Sequence, residues 1–310
     1  MNTDNQNITH IVDQIDFQNI QKHPNILIAA HFWEKDRFDA AKTCYKFMRR
    51  IDDMIDDRKA LTITLSCMDK QLFTDQVTRW ISCLQGQDSN DPFLDEVLET
   101  ITKFRIPLLY FHNFAKSMMH DIHHNGFETF EQFLAYSEGA SNGPASVFVH
   151  LCCLDRQNGH YIQNFPDISN MARPCALFSY IVHIIRDFRK DQLDHLNYFA
   201  ADMLEKHDLS KGDLEQIAAG GEITGNFRDM IREYKGIADT YRVETQKAVE
   251  RLESQIPPRY IFSLKLIFDL YLQIFERIDP ENGLFTSEEL IPEPEEVKAR
   301  VFHCLSSNAL

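Results

Sequence analysis

Apolar residues recur at steps of three and four along nearly the whole chain, the period of amphipathic helices, while the strict alternation that marks half-buried strands is scarce. The spacing predicts helices over residues 8–22, 37–58, 68–85, 93–120, 127–154, 168–191, 211–219, 223–254, 258–278 and 294–304. Short breaks part them: GQDSNDP at 86–92, NGHYIQNFPD at 158–167, AAGGEITGN at 218–226 and DPENG at 279–283. None is long or biased enough to link two domains. The expected organisation is therefore one all-α domain over residues 1–310, ending in an acidic tail over 280–310. The stretch SEELIPEPEEVKAR in that tail is read as solvated, with a docking helix as the alternative.

Two of these helices place acids where apolar residues are expected. On the helix over 37–58, Phe38, Ala41, Cys44, Tyr45, Met48, Ile51 and Ile55 form a buried stripe. Asp52 and Asp56 continue that stripe, Arg49 stands on the adjoining line, and Asp53 and Asp57 point further round. A carboxylate at the end of an apolar stripe is costly unless it is paired or binds a metal. The alternative is an acidic helix end lying in solvent. The stretch SYIVHIIRDFRKDQLDHLNYF repeats the device, with Asp187 and Asp191 four residues apart on the line through Tyr180, His183 and Ile184. Two such pairs suggest opposed carboxylate clusters at the mouth of a helical cavity. Magnesium takes oxygen ligands and keeps waters, so a few carboxylates per ion suffice when substrate phosphates complete the shell. A diphosphate held this way is a good leaving group, and an apolar pocket would shelter the allylic cation left behind.

Composition narrows the partners. A net charge of −15 without a concentrated basic patch argues against nucleic acid. Seven cysteines, odd in number and without a CxxC pair, fit reduced thiols, so a cytoplasmic protein is expected. The start MNTDNQNITHIVDQIDF has neither a basic lead nor an apolar run, so no signal or transit peptide is read there. The greasy stretch from Tyr260 carries Lys265 and Asp269 and reads as a core helix rather than a membrane span. Peripheral contact with a membrane face, for product release, stays open, as does oligomeric state.

With both acidic helices in view, the chain over about residues 20–280 resembles the squalene/phytoene synthase family, the head-to-head branch of the all-α isoprenoid synthases. Tyr45, Arg49, Asp52, Asp53 and Asp56 match its Y-x-x-x-R-x-x-D-D-x-x-D, and Arg186, Asp187 and Asp191 match its R-D-x-x-x-D. His23 fits the histidine of its flap region, FETFEQFLAYSEGASNGPASVF its T-x-x-E-L-x-x-Y segment, Tyr198 and Phe199 its Y-F/L-P, and Tyr241 and Tyr271 two late-helix tyrosines. The resemblance implies an isoprenoid synthase fold, a helical bundle around a central apolar cavity. It implies 1′-1 condensation of two farnesyl or geranylgeranyl diphosphates through a cyclopropylcarbinyl diphosphate, giving a squalene- or phytoene-type product. Magnesium would be held by Asp52, Asp56, Asp187 and Asp191; Tyr45, Arg49, Arg186, His23 and Tyr271 would grip diphosphate oxygens; NADPH would be needed only for squalene.

Three departures stand out. Tyr180 and His183 replace the family's Q-x-x-N ahead of R-D, so an imidazole sits where an amide ligand is expected and would suit manganese better than magnesium. Leu196 replaces an arginine five residues after the last aspartate, and A-S-N-G-P replaces A-G-x-V-G. The run GASNGPAS at 139–146 predicts a kinked helix whose small side chains serve either a passing prenyl tail or tight packing. HDIHH at 120–124 has the spacing of a helical zinc site, or of a plain polar helix end. Chain elongation and terpene cyclisation use similar acidic pairs, but neither D-D-x-x-D at the second motif nor N-D-x-x-S-x-x-x-E is present. A non-catalytic assembly or lipid-binding homologue is the remaining alternative.

Overall fold

The computed structural model describes residues 11–19, 25–62 and 64–307. After a 3₁₀ turn at Phe17–Asn19 come α1 (Asn25–Ala30), the long α2 (Lys35–Lys59), α3 (Cys67–Leu84), α4 (Pro92–Phe104), α5 (Leu108–His123), α6 (Phe130–Ala140) and α7 (Asn142–Cys152). A hairpin of β1 (Leu154–Gln157) and β2 (His160–Gln163) leads into α8 (Ile168–Arg186) and the short α9 (Phe188–Leu193), α10 (Ala201–Lys206) and α11 (Lys211–Ala218). The chain then runs through α12 (Gly225–Leu252), α13 (Pro258–Arg277), α14 (Ser287–Leu290) and α15 (Pro294–Ser307).

The second half of α8 buries Leu177, Phe178, Ile181, Val182, Ile184 and Ile185, apolar on almost every side. All-round burial is the mark of a central helix, and α8 does pack against α6, α7, α12 and α13. One apolar core joins the described helices from Val12 to Cys304. Around α8, the acidic ends of α2 and of α8 are brought to the same end of the bundle's cavity. Among the described residues no helix is long and apolar enough to cross a membrane.

Several expected boundaries shift, each for a local reason. The helix expected over 93–120 is two: Arg105 adopts a left-handed φ of 52° at the end of α4, and Pro107 disfavours helix in Ile106 before it. The helix expected over 127–154 bends at Ser141, where α6 ends and α7 begins. The expected break at 158–167 holds the turn and second strand of the hairpin, whose first strand precedes it; the turn is made by Asn158 and Gly159 with φ of 50° and 82°, as primed turns require. The helix expected over 168–191 is interrupted at Asp187, although the amide of Asp191 still reaches the Asp187 carbonyl at 2.8 Å. Of the helix expected over 8–22, the described part is a short helical turn at 11–13 and the 3₁₀ turn.

The tail is not solvated. α15 buries Val297, Val301 and Cys304. The Arg300 guanidinium clasps both Asp269 oxygens at 2.7 and 2.8 Å, and Arg277 meets Glu296 at 2.6 Å. Glu296 is the counter-charge of Arg277 on α13 and Arg300 that of Asp269, pairings that composition alone does not reveal.

Candidate active site

A cavity of about 610 Å³ opens between α2, α6, α7, α8, α12 and α13. Asp52 and Asp56 line one wall from the last turns of α2, and Asp187 and Asp191 line the facing wall, while Asp53 and Asp57 stay outside. The orientation follows from α2 itself. Cys44, Met48, Ile51 and Ile55 are buried at steps of three and four, which turns positions 45, 49, 52 and 56 inward beside them.

The two walls are charged differently. Arg49 reaches Asp52 at 2.5 Å and also binds Asp53. On the other side, Arg186 donates Nε and Nη2 to the two oxygens of Asp187, each at 2.7 Å, and His183 Nε2 lies 2.7 Å from Asp187 Oδ2. Burial would raise Asp187, but the His183 and Arg186 contacts outweigh it and hold the carboxyl well below its ordinary range. Asp52, Asp56 and Asp191 go the other way. Burial raises all three, and mutual repulsion adds to it: Asp56 feels Asp52 and Asp191, and Asp191 feels Asp187 and is pushed up to about 8. The site is thus a basin of carboxylates short of positive charge, with Asp187 already neutralised.

Further in, the lining turns apolar and aromatic. Tyr136, Tyr180 and Tyr198 face one another with ring centroids 6.1 to 6.5 Å apart, and Tyr180 lies flat against Phe133. Tyr45 and Tyr271 line the cavity beside Arg49 and Arg186. The small-residue run has two faces. Ala140, Ser141, Pro144 and Ala145 line the cavity, whereas Gly139 packs on α5 so closely that a Cβ would lie 1.9 Å from the Asn113 carbonyl oxygen.

Other expected residues fall elsewhere. His23 lies outside the described residues. Tyr241 is half-buried, hydrogen-bonded with Arg173 and away from the cavity lining; Phe199 is core. Leu196 lines the cavity. The three histidines of HDIHH do not converge on one point: His120 and His124 stack with ring centroids 4.4 Å apart and meet the Gly126 and His120 carbonyls, while His123 meets Thr74 Oγ1. Among the described residues no three His, Cys, Asp or Glu side chains converge as a ready metal cage.

Two residues escaped the sequence reading. Asp121 is buried, accepts a 2.6 Å hydrogen bond from the Tyr136 hydroxyl, and is pushed up to about 7 by burial, against the pull of Lys59. Its signal was present, because it falls on the stripe of Phe114, Met118 and Ile122, as Asp52 does on its own. Lys190, beside Asp191, had no such signal.

A family model described as squalene/phytoene synthase matches residues 21–294. A chloroplastic phytoene synthase of an Oncidium hybrid cultivar is 22% identical over 250 residues, which are 80% of this chain and 56% of that protein. The chloroplastic phytoene synthase 2 of Solanum lycopersicum is 22% identical over 266 residues, 84% of this chain and 79% of that one. The chain thus spans little more than half the length of the first of these relatives. Among solved structures, a dehydrosqualene synthase in complex with a ligand superposes with a TM-score of 0.68 at 14% identity, over 97% of this chain and 99% of its own. The squalene synthase HpnC from Alicyclobacillus acidocaldarius does so with a TM-score of 0.52 at 15% identity, over 77% and 93%. At such identities these likenesses show the fold, that of the isoprenoid synthases.

Proposed function

We propose, for a chain that belongs to the squalene/phytoene synthase family, that its cavity joins two prenyl diphosphates head to head. The observation that carries this reading is the polarity of the cavity: paired carboxylates and arginines face each other at one end, and an apolar, aromatic sleeve fills the other. A prenyl diphosphate has the same polarity.

The donor set suits magnesium. Burial, and after it the repulsion between neighbouring carboxylates, raises Asp56 and Asp191 together, a cost that a divalent cation on their hard oxygens relieves. Asp52 and Asp56 from α2, and Asp191 from the other wall, would each contribute oxygens to such ions, with substrate phosphate and water completing the shells and Asp187 orienting Arg186 and His183. Bound there, the metal would neutralise the diphosphate as it leaves. The chain's own groups do the rest. Arg49 and Arg186 offer guanidinium forks matched to phosphate oxygens, and Tyr45 and Tyr271 add hydroxyl donors. The rings of Tyr136, Tyr180 and Tyr198 present π faces to the allylic cation, and the apolar sleeve keeps water from it.

The test is to incubate the pure protein with farnesyl or geranylgeranyl diphosphate and magnesium, with and without NADPH, and to analyse the extracted lipids. A hydrocarbon of twice the substrate's carbon number is expected. Elongated diphosphates or cyclic monomers would replace this reading with chain elongation or cyclisation. No turnover at all would favour the non-catalytic homologue.

A further inference from the structure

Three lysine and arginine side chains line the cavity, Arg49, Arg186 and Lys190, and they are not equally committed. Arg49 spends its terminal nitrogens on Asp52 and Asp53. Arg186 spends Nε and Nη2 on Asp187. An incoming anion must compete with those aspartates for both guanidinium groups. The nearest carboxylate to Lys190 is Asp194, at 3.0 Å and outside both acidic motifs, with Asp191 at 4.0 Å. Its side chain is 64% exposed, and an exposed one-turn pair of this kind is weak. Lys190 is therefore the cavity cation most easily surrendered to a ligand, and its flexible stem lets the ammonium swing. The preceding Arg189 takes no part, because it donates to the Leu284 carbonyl.

The same turn carries the departure at Leu196. Its amide bonds the Asp191 carbonyl at 2.7 Å, and its side chain lines the cavity where the family pattern has arginine. One cation is missing beside Asp191 and another stands there instead. We propose that Lys190 is a diphosphate-binding residue of this chain, a cation one residue before Asp191 in a chain that has Leu196, not arginine, five residues after it.

This rests on the proposed function, and the test separates the two. Binding of farnesyl thiodiphosphate, an analogue whose sulfur resists ionisation, is measured by calorimetry with magnesium. The proteins compared are wild type, Lys190→Met, Arg189→Met and the double variant Lys190→Met/Leu196→Arg, each checked first for an unchanged melting temperature. Lys190→Met should weaken binding about tenfold, the loss of one charge-assisted hydrogen bond. Arg189→Met should stay within about twofold of wild type, as a change remote from the ligand should. The double variant should recover to within about threefold, since the restored cation need not match the original geometry. Farnesol should bind wild type and Lys190→Met alike. If Lys190→Met binds the analogue like wild type, or Arg189→Met loses as much, the assignment falls while the prenyl transferase reading stands. A double variant no better than Lys190→Met overturns the exchange between positions 190 and 196. A wild type that ignores the analogue overturns both.

Discussion

Adding one methyl group to this chain should stabilise it at one glycine and cripple it at another. At Gly139 a Cβ would meet the Asn113 carbonyl oxygen at 1.9 Å and Ser117 Oγ at 2.2 Å, where real contacts start at 3.0 Å. The nearer atom is helix backbone and cannot swing aside, so α5 and α6 must part by about 1 Å. Overpacking of that kind costs ~1–3 kcal/mol. Ser117 also donates a buried 2.6 Å hydrogen bond to the Tyr136 carbonyl, and breaking it adds ~1–3 kcal/mol. Gly139→Ala should therefore lose ~2–6 kcal/mol, roughly 3–9 °C in melting temperature for a chain of this size. Gly236, in the middle of α12, has no atom within 4 Å of the same added Cβ. Gly236→Ala should gain ~0.5–1 kcal/mol by restraining the unfolded chain. Thermal and urea unfolding of both variants reads the difference. A Gly139→Ala protein that melts with wild type, or a Gly236→Ala protein that falls as far, would refute the packing read at the α5–α6 contact.

Asp52→Ala and Asp56→Ala should each cost on the order of 100-fold or more in turnover, the scale of losing a charge-stabilising group at ionisation, while Asp57→Ala stays near wild type; equal tolerance at Asp52 and Asp57 in steady-state assays would show α2 to be turned differently. Ala145→Phe, which pushes a ring into the cavity, should shift preference towards the shorter of two competing prenyl diphosphates without lowering the melting temperature; an unchanged product ratio from a mixed-substrate reaction counts against a tail running past α7. Asp121 and Asp191 hold protons in the folded chain up to about 7 and about 8, whereas an unfolded Asp releases its proton near 3.8. The folded state thus binds more protons across that window, and stability should fall as pH rises through it. Added magnesium should raise the melting temperature at pH 8 far more than at pH 5; equal shifts at both would mean that the ion binds outside the carboxylate basin.

What could be read ahead of the structure divides along a physical line. Within one helix, spacing converts directly into direction, so the stripe from Phe38 to Ile55 was enough to turn Asp52 and Asp56 inward and Asp57 outward. The same rule would have caught Asp121 had it been applied to α5. Interruptions without glycine or proline were harder. Asp187 breaks the helix between apolar Ile185 and Phe188, whose period runs on undisturbed, while its carboxylate is held by Arg186 and His183. Contacts between distant segments left no periodic trace at all. Arg300 neutralises Asp269 from 31 residues away, and composition therefore made a docked helix look like a solvated tail. Period says which way a side chain faces, but whether a charge found there is a ligand, a counter-ion or a solvated group depends on what faces it. Asp187 and Asp191 share a motif and a wall, yet the first is held ionised by Arg186 and His183 and the second is driven up by burial and its neighbours' charge. The pair that spacing makes equivalent is chemically divided, and the unneutralised half is the one that Lys190 stands beside.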